Sequence, residues 1–128
     1  MKRKPIPKAI RAEVLAKYDG HCGYCGCKPE KLQIDHVIPH ARGHQYAKKG
    51  IDLDAIENLM PVCAKCNNYK ISYSLEEFRQ MIGRSIELCR KNSVNFRNCE
   101  RFGMVLVVND TNIVFHFEEV ANDKKSTN

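Results

Sequence analysis

Long apolar runs are absent from this chain. The longest, Met104–Val108, is far short of the ~18 residues that a membrane-spanning helix needs. No apolar segment follows the basic opening Met1-Lys-Arg-Lys-Pro, so a secretory signal is not expected either. These two absences give the expectation of a soluble, cytoplasmic protein with no membrane partner. The chain also has no internal repeat, no low-complexity tract and no Ser/Gly-rich linker. Its 128 residues are therefore expected to form a single domain over 1–128, with a modest core drawn from 43% hydrophobic residues. Acidic residues are the scarcer charge, 15 against 21 Lys and Arg, which leaves a net +6. That balance suits a polyanionic partner.

Cysteine is not scarce: there are seven. In a reducing compartment metal binding is a better explanation for them than disulfides. Cys22-Gly-Tyr-Cys25 and Cys63-Ala-Lys-Cys66 form two CxxC pairs, each with a spacer short enough for both thiolates to reach one ion. Four thiolates complete a tetrahedral shell and leave no open position, the pattern of a structural Zn²⁺ site. Buried free thiols or a redox CxxC are the alternatives, but a redox motif needs one pair and not two. Cys25-Gly-Cys27 is a tighter competing spacing. Cys27 is read as a nearby free thiol, Cys89 as a small core residue, and Cys99 carries no signal.

The remaining pattern suggests a chain of short elements. Residues 1–8 form a basic arm, and a helix from about Lys8 to Tyr18 puts Ile10, Val14 and Leu15 on one face before Asp19-Gly20 ends it. Lys31–Pro39 alternates like a strand, and the polar residues 40–57 read as a long loop. Leu59–Val62 is a short extended piece, followed by a helix from near Cys66 to about Ile71. Ser74-Leu-Glu-Glu77 is a capping box that opens a helix to about Lys91, with Leu75, Phe78, Ile82, Ile86 and Cys89 in register. Phe102–Val108 and Asn112–Phe117 flank Asn109-Asp-Thr-Asn112 and read as a β-hairpin that packs rather than reacts.

Between the cysteine pairs lies a second constellation. Asp35-His36 sits ten residues past the first pair, and Asn67 directly follows the last cysteine. A carboxylate and an amide oxygen are hard ligands that suit Mg²⁺ or Mn²⁺. An imidazole beside such an ion can take a proton from water, because its pKa lies near working pH. An Asp-His dipeptide alone is ordinary surface polarity, and Asn67 and Asn58 alone are ordinary cap and turn residues.

The order CxxC, Asp35-His36-Val-Ile-Pro39, Arg42-Gly43, Asn58-Leu59, Cys63-x-x-Cys66-Asn67-x-x-Lys70 resembles the HNH endonuclease family in its zinc-binding form. The resemblance covers about Val14 to Lys70. It implies an α+β protein with a ββα-metal core: two antiparallel strands and a helix around one catalytic ion, braced by zinc. The flanks would be an N-terminal helix, a C-terminal helix and the hairpin. The domain would then divide into the basic arm and helix (1–20), the zinc-braced core (21–72) and the extension (73–128).

Carried onto this chain, the resemblance makes His36 the general base that activates water and Asp35 the neighbouring metal ligand. Asn58 becomes the residue that orients the catalytic loop. Asn67 takes the place of the family's final His as second metal ligand, giving an H-N-N pattern that leaves the preferred metal open. The implied activity is hydrolysis of DNA phosphodiesters, most simply in double-stranded DNA, leaving 5′-phosphate and 3′-hydroxyl ends. A monomer would nick, while a homodimer could cut both strands. Small relatives occur in phages, mobile elements and restriction systems. The alternatives are a non-catalytic zinc module that binds nucleic acid or protein, and an RNA-cleaving nuclease.

His40, His44, Asp52 and Asp54 read as solvated loop residues, because His36 already fills the role of base. His21 and His116 have no assigned partner. Residues 1–50 hold 11 Lys and Arg against 4 Asp and Glu, whereas residues 51–128 hold 10 against 11. The basic excess therefore lies in the half that carries Asp35-His36. Lys2, Arg3, Lys4, Lys8, Arg11, Arg42, Lys48 and Lys49 are the candidate phosphate contacts.

Overall fold

A helix can start at Lys8 because Pro7 supplies an extended N-cap and accepts from Arg11 N at 2.9 Å. This helix, α1 (Lys8–Leu15), buries Val14 completely and Ile10 and Leu15 in part. The helix ends at Leu15, three residues before the expected Tyr18, and the turn that follows takes left-handed backbone angles at Asp19 and Gly20, φ 53° and 84°. The computed structural model describes residues 4–47, 49–108 and 112–126. Within it the chain divides into two compact units, Met1–Leu75 with Val114–Asn128, and Glu76–Ile113.

The first unit is built on a two-stranded antiparallel sheet, β1 (Gln33–His36) and β2 (Leu59–Val62), which pairs Asp35 with Met60 and His36 with Leu59. All of β2 is buried, and α1 packs against both strands. Between the strands the chain is not the loop that its polar composition suggests. After Pro39 it forms a 3-10 turn (His40–Arg42), the short α2 (Gly43–Ala47) and a second 3-10 turn (Ile56–Asn58). Leu53 anchors this excursion in the core. Past β2, Cys63 caps α3 (Ala64–Lys70), which lies against β1. The helix starts two residues before the expected Cys66, because the Cys63 sulfur accepts the Cys66 amide as an N-cap does. The observed β1, β2 and α3 are an α+β core of the ββα kind.

The second unit carries α4 (Leu75–Gly83, whose first residue belongs to the first unit), α5 (Ser85–Asn92) and α6 (Val94–Arg101). The single helix expected to Lys91 is broken at Arg84, directly after Gly83, a poor helix former. Ser93 caps α6 through Phe96 N at 3.1 Å, and Arg90 reaches from α5 to hold Glu100 with two bonds of 2.9 and 2.8 Å.

The expected β-hairpin over 102–117 does not form. Residues 104–108 and 112–115 carry no strand, and Asn109, Asp110 and Thr111 of the expected turn lie outside the described residues. β propensity needs a partner surface to cover it, and Met104, Leu106 and Val108 instead stand largely exposed. The backbone groups that a ladder would use are engaged elsewhere. Ile113 O accepts from Arg79, while His116 N and Phe117 N donate to Tyr24 O and Gly23 O. Phe115 is buried against Tyr24 at 5.3 Å, and α7 (His116–Ser126) follows it. Among the described residues no helix is long and apolar enough to cross a membrane.

Candidate active site

The first CxxC pair forms a tight knuckle because two of its backbone positions tolerate little else. Gly23 N donates to Pro61 O at 2.7 Å, and a Cβ on Gly23 would collide with the Met60 side chain. Gly26 closes the turn at φ 80°, a conformation that favours glycine. The knuckle is thereby pressed onto β2, which delivers the second pair at its far end. The Sγ atoms of Cys22, Cys25, Cys63 and Cys66 all lie within 4.8 Å of one another.

Zn–S bonds of about 2.3 Å would set tetrahedral sulfurs about 3.8 Å apart. Cys25 Sγ and Cys63 Sγ are 3.8 Å apart, so the cluster fits a structural zinc. Its hydrogen bond with Cys66 holds the Cys22 thiol down at about 4, and the same contact pushes Cys66 up. Four sulfurs this close do not all ionise without a cation among them. Cys27 stands outside the four-sulfur group, and its contact with Cys25 pushes its thiol up to about 12.

The alternation of β1 turns Asp35 inward, and it is only 7% exposed. Its Oδ2 accepts from Tyr24 Oη at 2.7 Å and pairs with Lys70 Nζ at 3.0 Å. Lys70 is fully buried and also donates to His36 O at 3.2 Å. Burial, then the charge of Asp35, pushes the Tyr24 phenol far up, so it stays a donor. With Oδ2 doubly engaged, Oδ1 is the carboxylate oxygen left for a cation. Tyr24 and Lys70 were missed as site residues in the sequence. Tyr24 is hidden in a CxxC spacer, and only the i, i+3 spacing of Asn67 and Lys70 on α3 hinted that both face β1.

Asp35, His36 and Asn67 line one open cleft of about 640 Å³ with Pro39, His40 and Ile71. Asn67 lies in α3 rather than at its first residue, and its Nδ2 donates to Gln33 Oε1 at 2.6 Å, which leaves its Oδ1 as the acceptor. Two oxygen donors in a cleft of that size leave room for several waters, as Mg²⁺ and Mn²⁺ require. Asn58 is not in the cleft. Its Oδ1 accepts from Ile38 N at 2.8 Å, while its Nδ2 donates to Ile38 O and Leu53 O, so one amide ties the exit of β1 to the return of the excursion.

Two loop residues read as solvated meet His36 directly. Asp54 Oδ1 accepts from His36 Nε2 at 2.9 Å and from His40 Nε2 at 2.8 Å. These bonds, that from His40 first, hold the Asp54 carboxyl below its ordinary value. An ionised carboxylate only accepts, so both imidazoles donate through Nε2, and the neutral form of His36 keeps its lone pair on Nδ1. Asp52 supports the arrangement by accepting from Asp54 N at 2.9 Å. No sequence period connects position 36 with 40 and 54, because the chain reversal that joins them is set by Asn58 and Leu53. His44 is exposed on α2 and takes no part in the cleft. The rings of His21 and His116 meet at a tilt, 5.4 Å between centroids, beside the knuckle.

Of the candidate phosphate contacts, Lys8, Arg11 and Lys49 are exposed. Lys4 lines a groove that also contains Asp54, and Arg42 Nε donates to Ser72 O at the cleft rim. Lys2, Arg3 and Lys48 lie outside the described residues. In comparison with known proteins, the family model for HNH endonuclease matches residues 22–72. No curated protein and no solved structure matches the chain.

Proposed function

We propose, from the match of residues 22–72 to the HNH endonuclease family model, that this protein is a metal-dependent endonuclease that hydrolyses DNA phosphodiesters. The observation that carries the reading is the convergence of Asp35, Asn67 and His36 in one open cleft. His36 takes the proton of the attacking water on Nδ1, the water oxygen bonds to phosphorus, and the bond to the 3′ oxygen breaks. Asp54 holds the imidazole in the tautomer this requires and favours the imidazolium that forms. Asn58 acts at one remove, as a positioning residue for the segment after β1. Asp35 and Asn67 would hold Mg²⁺ or Mn²⁺, which supplies stabilisation of charge on the phosphate and on the departing oxygen.

Lys4, Lys8, Arg11, Arg42 and Lys49 are the proposed backbone contacts, joined by Lys2, Arg3 and Lys48 from the sequence reading. Such contacts read charge rather than bases and make binding strongly salt-dependent. The test is cleavage of supercoiled plasmid by the zinc-loaded protein in Mg²⁺ or Mn²⁺. Wild type is expected to nick or cut the plasmid. His36→Ala should lower the rate by about 10²–10⁴ with zinc content and DNA binding unchanged, the usual contribution of a general base. Full activity in His36→Ala overturns the mechanism. Intact plasmid with wild type, the result a non-catalytic zinc module gives, overturns the function.

A further inference from the structure

Three side chains at the mouth of the cleft converge more closely than a single base requires. His36, His40 and Asp54 each bring one ligand atom within 4.8 Å of the others, and both Nε2 atoms reach Asp54 Oδ1. Their N···O separations of 2.9 and 2.8 Å need to open only slightly for an ion with bonds of about 2.0–2.2 Å to take the place of the two N–H protons. Each ligand is held from behind. His36 is fixed by strand pairing and by Lys70 on its carbonyl. His40 follows Pro39 in a 3-10 turn, and Asp54 is fixed by Asp52. Neither His40 nor Asp54 belongs to the motif that defines the Asp35–Asn67 pair.

We propose that His36, His40 and Asp54 form a second metal site, distinct from the four-Cys cluster and from the Asp35–Asn67 pair, that takes a transition-metal dication such as Zn²⁺ and thereby silences the base. Two imidazoles and one carboxylate select a borderline metal over Mg²⁺, and three protein ligands leave a position for water. The silencing follows from proton balance. A metal on Nε2 needs that lone pair, so the imidazole proton moves from Nε2 to Nδ1 through solvent, with no change in net charge on the ring. His36 then has no free nitrogen with which to take a proton from water. This consequence rests on the reading of His36 as base, whereas the binding itself does not.

The test is titration of Zn²⁺, and of Co²⁺ as a spectroscopic probe, into protein whose four-Cys site is already filled with zinc. A second equivalent is expected, with Co²⁺ bands that lack thiolate charge transfer. His40→Ala and Asp54→Asn, both surface changes, should each weaken it by more than the roughly 10–100-fold that loss of an outer-sphere partner costs, while zinc in the four-Cys site is retained. Absence of a second equivalent, or a second equivalent indifferent to both variants, overturns the site. In plasmid cleavage with Mg²⁺, added Zn²⁺ should inhibit wild type over the concentration range of the second equivalent, and inhibit His40→Ala only at higher concentration. Identical inhibition of both proteins overturns the silencing. A protein that binds the second equivalent but cleaves nothing leaves the metal site standing and refutes the nuclease reading instead.

Discussion

Lys70 and Asp35 form an ion pair of 3.0 Å in which the lysine is wholly buried. Tyr24 supplies the further hydrogen bond that such a pair needs in low dielectric. Removal of one partner leaves the other as an uncompensated charge. Lys70→Met is therefore expected to destabilise the protein by about 3–5 kcal/mol in urea unfolding. The double variant Asp35→Asn with Lys70→Met should recover much of that loss, since no lone charge remains. A single-variant cost below about 1 kcal/mol would mean that the pair is solvated. Asp35 was legible in the sequence as a polar residue beside His36. Its burial was not, because strand alternation gives two faces without saying which one is covered.

The helices of the second unit show how little a short element decides alone. α5 and α6 have eight residues each, too few to be stable in isolation, so they depend on contacts between them. The Arg90–Glu100 fork is one of these, and it holds the Glu100 carboxyl below its ordinary value of 4.5. A depressed carboxylate contributes in full above the ordinary value, and that contribution is lost as pH falls through the lowered one. Carbon-13 titration should find Glu100 below its ordinary value, and Arg90→Ala should return it to the ordinary range. An unshifted Glu100 in wild type would dissolve the fork in solution. The sequence indicated helix 75–91 by its apolar spacing, but not the break at Arg84 or the whole of α6, whose few apolar residues share one face but are too sparse among polar ones to mark a helix. The failed hairpin has the opposite cause. Its β-branched residues gave a strong local signal, and contacts with a distant segment, the zinc knuckle, captured the end of it.

At the scale of the molecule, a structural zinc in the four-Cys cluster would be the clearest energetic dependency. The knuckle carries Gly23 onto β2 and receives the amides of His116 and Phe117, so the start of α7 is held beside the four-Cys cluster. Structural zinc sites contribute apparent free energies of about 10–16 kcal/mol. That is as large as the whole stability of an ordinary domain, about 5–15 kcal/mol. A strong chelator is expected to remove this zinc and abolish amide-exchange protection of β1 and β2, and readdition should restore it. Protection that survives complete zinc loss would reduce the site to an accessory. Zinc also alters the charge balance: four thiolates and one Zn²⁺ sum to −2, which takes the formal +6 to about +4.

Residue chemistry was open to reading without a fold wherever valence and spacing restrict the answer. Two CxxC pairs admit few uses, and Asp35, His36 and Asn67 are specific when their order is taken together. Two short extended pieces and a following helix also follow from local pattern, since each is bounded by its own signals, while their antiparallel pairing was only what the family resemblance implies. What only the tertiary structure decided are the relations across distance. These are the inward turn of Asp35 onto Lys70, the tie that Asn58 makes between Ile38 and Leu53, and the meeting of His36 with His40 and Asp54. Such contacts are made by chain reversals whose closure depends on burial elsewhere, at Leu53 and along β2. A one-dimensional pattern records which groups are available, and burial selects the ones that meet.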